Sequence, residues 1–310
     1  MQQSSRNSSQ IEEFVAQCDS LGGISDPRAA DLIANFRLEL DVDIDHVDQL
    51  DPFSDEYHAL QMDIYQSVSG RVYCSDLDEQ DKIVSDATNP HRAKNSRFLT
   101  MNSKPIINAL ALADLDPGAY ALDMGAGRGF SSEVLAHNGV NVHALDLNPK
   151  FISYIKKTAR QKGYAIEGIL DNFDRMMLDQ TYDMILFDDS MHFSSRLDAL
   201  IPKLVPMLNP GGSILFIGEP IHSTWWKHWG VSMDATSVYS MRKFGKFNAC
   251  WSKSYLKQLF DRAGLKLWII AFVGRNNGYL GVAMPKGSAD DALIKRRCAK
   301  IFPEHLIVFV

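Results

Sequence analysis

Residues 121–130 read A-L-D-M-G-A-G-R-G-F, and this stretch decides the fold. An apolar run ends in an acid, Asp123, and three glycines follow at alternate positions, Gly125, Gly127 and Gly129. A strand that leads through a glycine turn into a helix N-terminus is typical of nucleotide-binding domains. The stretch therefore predicts such a domain, with a helix beginning next to the last glycine.

The glycine spacing and the acid narrow the choice of nucleotide. Dinucleotide-binding loops follow G-x-G-x-x-G, whereas this loop reads G-x-G-x-G. Asp123 would lie where a pyrophosphate is usually held, and two negative charges there repel each other. An acid suits a ligand with a cationic amino-acid end, so the loop favours S-adenosylmethionine (SAM), whose demethylated product is S-adenosylhomocysteine (SAH). A tight turn without a ligand is the alternative.

The composition is that of an ordinary globular protein. Of 310 residues, 45% are hydrophobic and 23% are charged. No apolar run approaches the ~20 residues of a membrane span, and the first ten residues lack the apolar core of a signal peptide. Four cysteines without C-x-x-C spacing indicate neither a zinc site nor disulfides, and we expect no metal. We expect a cytoplasmic protein without membrane association.

The charge is unevenly distributed along the chain. The formal net charge is -6, and the first 90 residues contain 19 acidic against 5 basic side chains. An acidic first third argues against nucleic acid as the main partner. We therefore expect a small-molecule substrate, no nucleic acid and no membrane, with a chain that is compatible with a homodimer.

The periodicity of apolar residues divides the chain into three parts. We predict an N-terminal helical cap and linker over residues 1–100 with an unstructured first ten residues, a SAM-binding domain over 101–286, and a C-terminal tail packed on the body over 287–310. Within the middle part, candidate strands and helices alternate. The strand candidates are 120–124, 141–146, 164–168, 183–188, 213–218, 267–273 and 279–284, and the helices are 105–115, 129–138, 149–162, 194–208 and 252–263.

This alternation predicts an α/β fold, a Rossmann-like, doubly wound sheet that is mostly parallel. The last two strands are separated by N-N-G at 276–278, a hairpin signal. We therefore expect the last strand to be antiparallel, so that the sheet has an antiparallel edge.

Polar residues follow the second and third predicted strands. Asp146 stands 19 residues after Gly127, where an acid can accept hydrogen bonds from both ribose hydroxyls of a nucleoside. Asp171, Asn172 and Phe173 can accept from an adenine amino group and contact its ring. The alternatives are a helix cap for the first acid and a loop cap for the later residues.

The fourth and fifth predicted strands end in candidate catalytic residues. Asp188 and Asp189 are followed by His192, and Glu219 closes the fifth strand. Histidine is the natural general base near neutral pH, and a carboxylate can orient its ring or hold a substrate hydroxyl. We therefore select His192, Asp189 and Glu219 as catalytic candidates. A structural histidine and a surface ion pair are the alternatives.

An aromatic insertion, W-W-K-H-W-G at 225–230, precedes the last helix of the predicted domain. It fits a lid or a substrate wall, and plain packing is the alternative. We select Trp225, Trp226 and Tyr73 as candidate substrate contacts.

Taken together, residues 104–285 resemble class I SAM-dependent methyltransferases. The resemblance rests on the glycine loop with Asp123, on Asp146 and Asp188, and on the P-G-G turn at 210–212. It implies SAM as the cofactor and in-line methyl transfer, assisted by a general base, to an oxygen or nitrogen of a small molecule. It also implies that the cofactor contacts are Asp123, Gly125, Ala126, Gly127, Asp146, Leu147, Asp171, Asn172, Phe173 and Asp188.

A narrower likeness is to bacterial methyltransferases of glycan and secondary-metabolite pathways, which implies a natural-product or sugar-type acceptor. It is carried by D-P-F-S-D-E-Y at 51–57, S-G-R-V-Y at 69–73 and G-E-P at 218–220. The chain departs from that group by having Asp189 where Glu is commoner and Phe193 where a second His often stands. A catalytically silent SAM-binding regulatory protein, a nicotinamide-dependent oxidoreductase and a nucleic-acid-modifying enzyme are the competing hypotheses.

Overall fold

The computed structural model describes residues 2–38, 42–74, 96–173, 175–221, 225–272, 279–301 and 307–309. The helices are α1 (Gln2–Ser20), α2 (Ala30–Asn35), α3 (Ile44–Gln49), α4 (Asp55–Ser69), α5 (Ser96–Ala113), α6 (Phe130–His137), α7 (Pro149–Lys162), α8 (Leu197–Leu204), α9 (Ala235–Phe244), α10 (Lys253–Arg262) and α11 (Asp291–Ile301). The strands are β1 (Tyr120–Met124), β2 (Asn141–Asp146), β3 (Ile166–Leu170), β4 (Tyr182–Asp188), β5 (Leu208–Ile217), β6 (Trp229–Val231), β7 (Ala249–Trp251), β8 (Leu265–Phe272), β9 (Tyr279–Pro285) and β10 (Ile307–Phe309).

The chain folds into two compact units. The helical unit comprises residues 1–79, 192–196 and 222–255, and the sheet unit comprises residues 80–191, 197–221 and 256–310. The N-terminal helices and the aromatic insertion therefore belong to the same unit, although about 150 residues separate them in the sequence.

The sheet unit contains one eight-stranded sheet in the order β10-β8-β9-β5-β4-β1-β2-β3. The strands β1 to β5 are parallel, and β9 is antiparallel to both of its neighbours. The predicted Rossmann-like sheet with an antiparallel last strand is thus confirmed. The strand order reverses between β1 and β4, which is where open α/β sheets bind ligands at the carboxyl ends of their strands.

The strands β9, β8 and β10 form the antiparallel edge of the sheet, in which β9 lies between β5 and β8 and β10 is outermost. Val282 and Ala283 of β9 point to opposite faces and are both fully buried, as expected for a strand that is covered on both faces. The C-terminal tail adds β10 beyond β8, a strand that the sequence analysis did not predict.

Burial explains why these segments form a sheet. Met184, Ile185, Leu186 and Phe187 of β4 are all fully buried, as expected for a strand covered on both faces. Each side chain of this size contributes about 1.5–3 kcal/mol when it is removed from water. Helices α5, α6 and α11 cover part of the sheet through a shared apolar cluster that includes Ile106, Leu112, Leu135, Ile294 and Cys298.

Local capping fixes the bounds of α7 at the predicted residues. The Asn148 Oδ1 accepts hydrogen bonds from the backbone N–H groups of Lys150 (2.8 Å) and Phe151 (3.3 Å). Pro149 occupies the first turn, and Gly163 ends the helix with φ of 67°. A side-chain cap followed by proline, with a left-handed glycine at the other end, is a strong local signal.

Three predicted boundaries are wrong. Helix α1 begins at Gln2, so residues 2–10 are helical rather than unstructured, and the same helix buries Ile11 and Phe14 further along. Helix α5 begins at Ser96, and Pro105 lies inside it rather than in its first turn. The helix predicted at 194–208 is shorter, because α8 ends at Leu204 and a 3-10 turn leads directly into β5.

The helical unit packs α9 against both α1 and α4. The Lys243 Nζ of α9 donates to the Asp19 Oδ1 of α1 at 2.5 Å, and Arg242 pairs with Glu12. The buried Tyr57 donates its hydroxyl to the Trp229 carbonyl oxygen at 2.5 Å, which ties α4 to β6. In the described ranges, no helix is both long and apolar enough to cross a bilayer.

Candidate active site

Asp123, at the end of β1, is fully buried. Its Oδ2 accepts hydrogen bonds from the hydroxyls of Ser131 (2.8 Å) and Ser132 (2.5 Å) at the start of α6. Its Oδ1 has no hydrogen-bond partner among the described residues. Burial raises the pKa of this carboxyl group, and the two serine hydroxyls oppose that rise. An unpartnered buried carboxylate oxygen favours the binding of a cationic donor.

The glycine loop leaves space in front of its backbone. Gly127 has φ of 55°, and a Cβ atom added there would meet no atom within 4 Å. Gly125 has φ of 73°, and its added Cβ would lie 2.7 Å from the Cβ of Ser190. Gly125 is therefore needed for packing, whereas the open space next to Gly127 lets a ligand approach the main chain.

Asp146, at the end of β2, holds the loop from the other side. Its Oδ2 accepts the N–H of Gly127 at 2.7 Å, and its Oδ1 accepts the N–H of Asn148 at 2.8 Å. A carboxylate can accept about four hydrogen bonds in all. The same group can therefore fix the loop and accept from ribose hydroxyls, so the two interpretations of Asp146 are compatible.

The residues after β3 lie next to this loop. The Asp171 N–H donates to the Asp146 carbonyl oxygen at 3.2 Å. Asn172 is buried, and its Oδ1 accepts the N–H of Arg175 at 2.9 Å, so it caps the loop in this structure. Phe173 packs edge-on against Phe187 with ring centroids 5.9 Å apart.

Acidic side chains dominate the ends of β1, β4 and β5. Burial, and then repulsion from Asp123, Asp189 and Glu219, raises the pKa of Asp188 well above its usual value. A group of carboxylates that repel one another is stabilised by a bound cation. This electrostatic environment disfavours a pyrophosphate and favours a ligand that carries positive charge.

Glu219 is almost fully buried, with 1% of its surface exposed. Its Oε1 accepts hydrogen bonds from the backbone N–H groups of Ser190 (2.9 Å) and Met191 (2.8 Å). The Ser190 hydroxyl in turn donates to the Met124 carbonyl oxygen at 2.5 Å. Glu219 thus organises the chain that follows β4.

His192 follows β4 by four residues in the chain and is assigned to the helical unit. It is 8% exposed, and its ring centroid lies 4.0 Å from that of Phe193. The Lys246 Nζ lies 3.6 Å from the centroid of the Phe193 ring. Phe193 therefore contacts both a cation and the imidazole of the candidate base.

The candidate substrate contacts also lie in the helical unit. Tyr73 packs edge-on against Tyr65 and Phe247, with centroids 5.8 and 5.6 Å away. Trp226 is 3% exposed and donates its Nε1–H to the Val231 carbonyl oxygen at 2.8 Å. Trp225 is half-buried. Of the two tryptophans, Trp225 presents more surface to a ligand.

Two residues of the site, Ser131 and Ser132, were missed from the sequence. The signal for the two serines was present, since hydroxyls in the first turn of α6 directly follow the glycine loop and can reach the acid before it. Asn148 caps α7, and its Nδ2 has no partner among the described residues. No group of three or more His, Cys, Asp or Glu side chains in the described ranges is arranged for a metal ion.

A parallel sheet with this strand order, a glycine loop after β1 and an acid after β2 are features of Rossmann-like nucleotide-binding domains. Residues 121–212 match the family model described as "Methyltransferase domain". The resemblance to class I SAM-dependent methyltransferases is thereby confirmed.

Curated relatives match parts of the chain. The chain is 32% identical over 108 residues to malonyl-[acyl-carrier protein] O-methyltransferase from Serratia marcescens. This alignment covers 34% of the chain and 41% of the relative. The chain is 25% identical over 154 residues to ubiquinone biosynthesis O-methyltransferase from Xanthomonas oryzae pv. oryzae. This second alignment covers 48% of the chain and 62% of the relative. The chain thus spans less than two thirds of the length of these relatives.

A solved structure shares the fold. It is the complex between the Haloferax volcanii Trm112 methyltransferase activator and a methyltransferase, which aligns with a TM-score of 0.52 and 16% identity. The alignment covers 67% of this chain and 98% of that chain. At this identity the likeness shows the fold alone.

Proposed function

We propose that this protein is a SAM-dependent methyltransferase that acts on an oxygen or nitrogen of a small molecule. The observation that carries the proposal is the open glycine loop between two acids: Gly127 faces empty space, Asp146 binds its N–H at 2.7 Å, and Asp123 keeps an unpartnered buried oxygen. This arrangement suits a nucleoside that carries a cationic amino-acid end.

The chain offers a group for each part of SAM. Asp146 would accept from the ribose hydroxyls, and the backbone of Gly125, Ala126 and Gly127 would line the nucleoside. Asp123 and Asp188 would attract the positive charges of the ligand. Leu147, Asp171, Asn172 and Phe173 would complete the adenine end. When bound, SAM supplies a methyl group that its sulfonium already activates.

The remaining chemistry is the removal of a proton from the acceptor. We assign this step to an imidazole nitrogen of His192, with Asp189 in support, because both residues directly follow β4 in the chain. A positioned base contributes about 10²–10⁴-fold to the rate of such a step. Glu219 is placed differently, because its Oε1 is already bound by two backbone amides.

The acceptor is proposed to be a natural product or a sugar-type compound. Two curated relatives have names that specify O-methyltransferases, which puts oxygen acceptors first among those to be tested. Cofactor binding is assigned to the domain predicted over residues 101–286. Tyr73, Trp225 and Trp226, which lie outside it or in the aromatic insertion, are proposed to contact the acceptor.

The proposal is tested by transfer of radiolabelled methyl from SAM to a panel of phenols, carboxylates, sugar hydroxyls and amines. Once an acceptor has been identified, His192→Ala should lower kcat for that acceptor by about 10²–10⁴-fold and leave the affinity for SAM unchanged. His137→Ala, at an exposed position in α6, is the matched control. A rate for His192→Ala equal to that of the wild type, when chemistry limits turnover, would remove His192 as the base. SAM binding without transfer to any acceptor would instead favour the silent regulatory protein.

A further inference from the structure

The turn that follows β4, residues 189–191, has an unusual backbone. Asp189 is a non-glycine residue with φ of 55°, in the left-handed region. Left-handed conformations are uncommon outside glycine, and they persist where the surrounding structure enforces them. Some interaction must therefore hold this turn in place.

Hydrogen bonds to the last residue of β5 and to Glu219, two residues beyond it, enforce the turn. The Asp189 N–H donates to the Ile217 carbonyl oxygen at 2.9 Å. The next two N–H groups, of Ser190 and Met191, both donate to the Glu219 Oε1. Ile217 and Glu219 thus accept hydrogen bonds from three consecutive backbone amides of the turn, and two of the three bind the same side-chain atom.

The turn also fixes the glycine loop. The Ser190 hydroxyl binds the Met124 carbonyl oxygen at 2.5 Å, and the Ser190 Cβ lies 2.7 Å from the position of a Cβ added to Gly125. No side chain fits between Ser190 and this loop. A shift of the turn would therefore either move the start of the glycine loop or break the hydrogen bond between Ser190 and Met124.

We propose that Glu219 is a positioning residue: it holds the turn at 189–191, and through Ser190 it sets the position of the glycine loop that binds the cofactor. This inference rests on the proposed function for its cofactor and deepens it. Both donors reach the same oxygen of a side chain that is 1% exposed. Glu219 therefore supplies, through its Oε1, the acceptor that two backbone amides of the turn need.

The experiment compares Glu219→Gln with Glu219→Leu. The glutamine keeps a carbonyl oxygen for both N–H groups and removes the charge, whereas the leucine removes the acceptor and leaves two buried donors unpaired. We expect SAH affinity, measured by calorimetry, to fall less than threefold for the glutamine variant and at least tenfold for the leucine variant. Glu167→Leu, at an exposed position on β3, should bind SAH like the wild type.

Hydrogen exchange of the amides at 190 and 191, measured without ligand, reports the turn directly. Exchange should be slow in the wild type and in Glu219→Gln, and fast in Glu219→Leu. If the leucine variant does not fold, Ser190→Ala replaces it, and we expect its SAH affinity to be three- to tenfold weaker. An unchanged affinity for Ser190→Ala would then overturn the link to the glycine loop.

Two results would overturn the proposal outright. An equal loss of SAH affinity in both Glu219 variants, with the fold intact, would show that the charge of Glu219 acts on the ligand. Wild-type affinity and slow exchange in Glu219→Leu would show that the turn needs no acceptor. Failure of the wild type to bind SAH or SAM would contradict the proposed function instead, and the exchange comparison would still decide whether Glu219 holds the turn.

Discussion

Alanine at Gly125 should mainly reduce stability, whereas alanine at Gly127 should mainly reduce cofactor affinity. Gly125 and Gly127 both have positive φ, so alanine at either position costs about 1–2 kcal/mol of backbone strain. At Gly127 the added methyl meets no protein atom within 4 Å. The strain is then the whole cost to stability, but the methyl enters the space proposed for the cofactor.

At Gly125 the added methyl lies 2.7 Å from the Ser190 Cβ and 3.3 Å from the Phe173 Cζ. The first distance is well inside ordinary contact and involves an atom attached to the main chain. Overpacking of this kind adds about 1–3 kcal/mol. We therefore expect Gly125→Ala to destabilise the sheet unit by about 2–5 kcal/mol, and Gly127→Ala by about 1–2 kcal/mol.

The assay pairs thermal unfolding with SAH calorimetry. Gly127→Ala should unfold close to the wild type and bind SAH at least tenfold more weakly, a difference of about 1.4 kcal/mol. Gly125→Ala should show the larger loss of stability. Wild-type SAH affinity in Gly127→Ala would refute the assignment of the space next to Gly127 to the cofactor. Equal destabilisation by the two substitutions would refute the close packing of Gly125 against Ser190.

Three further changes have defined outcomes. Asp146→Ala removes the acceptor of the Gly127 N–H and the proposed ribose contact, and should weaken SAH binding in calorimetry about 10–100-fold, whereas wild-type affinity would contradict its role. Asp188→Asn removes a carboxyl group whose pKa is higher in the folded than in the unfolded protein. Ionisation of Asp188 therefore lowers the stability of the wild type as pH rises from the unfolded pKa through the folded pKa, and has no effect below both. The melting temperature of the variant should exceed that of the wild type at pH 8 and be similar to it at pH 4, while SAH affinity falls. An increase of the same size at both pH values would contradict that cause. Gln61→Leu removes the Oε1 that accepts the buried Val231 N–H at 3.0 Å. The free energy of unfolding of the helical unit, measured with denaturant, should fall by about 1–3 kcal/mol. A decrease of less than about 0.5 kcal/mol would show that this hydrogen bond contributes little.

The parts of the fold that the sequence predicted well are those with local signals. The bounds of β2 and α7 agree residue by residue with the prediction, because Asn148-Pro149 and Gly163 cap the helix from within its own segment. The start of α5 was missed for the opposite reason. Proline is favoured in a first turn, but here tertiary packing of Ile106 and Leu112 supports a helix that continues through Pro105.

The candidate site likewise combines features that local sequence predicts with features that depend on contacts between distant segments. The position of Asp146 next to the glycine loop could be predicted from spacing alone, because the end of a strand and a glycine loop fix where its carboxylate lies. The role of Glu219 could not, because its partners are 28 and 29 residues away and are brought to it by the pairing of β4 with β5. The left-handed backbone of Asp189 likewise follows from contacts between strands rather than from its neighbours in sequence.

Calorimetric titration of the wild-type protein with SAH, with NAD as the comparison, tests whether the glycine loop binds a SAM-type ligand rather than a dinucleotide. We expect saturable binding of one SAH per chain and no measurable binding of NAD, because carboxylates surround the loop where a pyrophosphate would lie. Binding of NAD in preference to SAH, or binding of neither SAH nor SAM by the folded protein, would contradict this prediction.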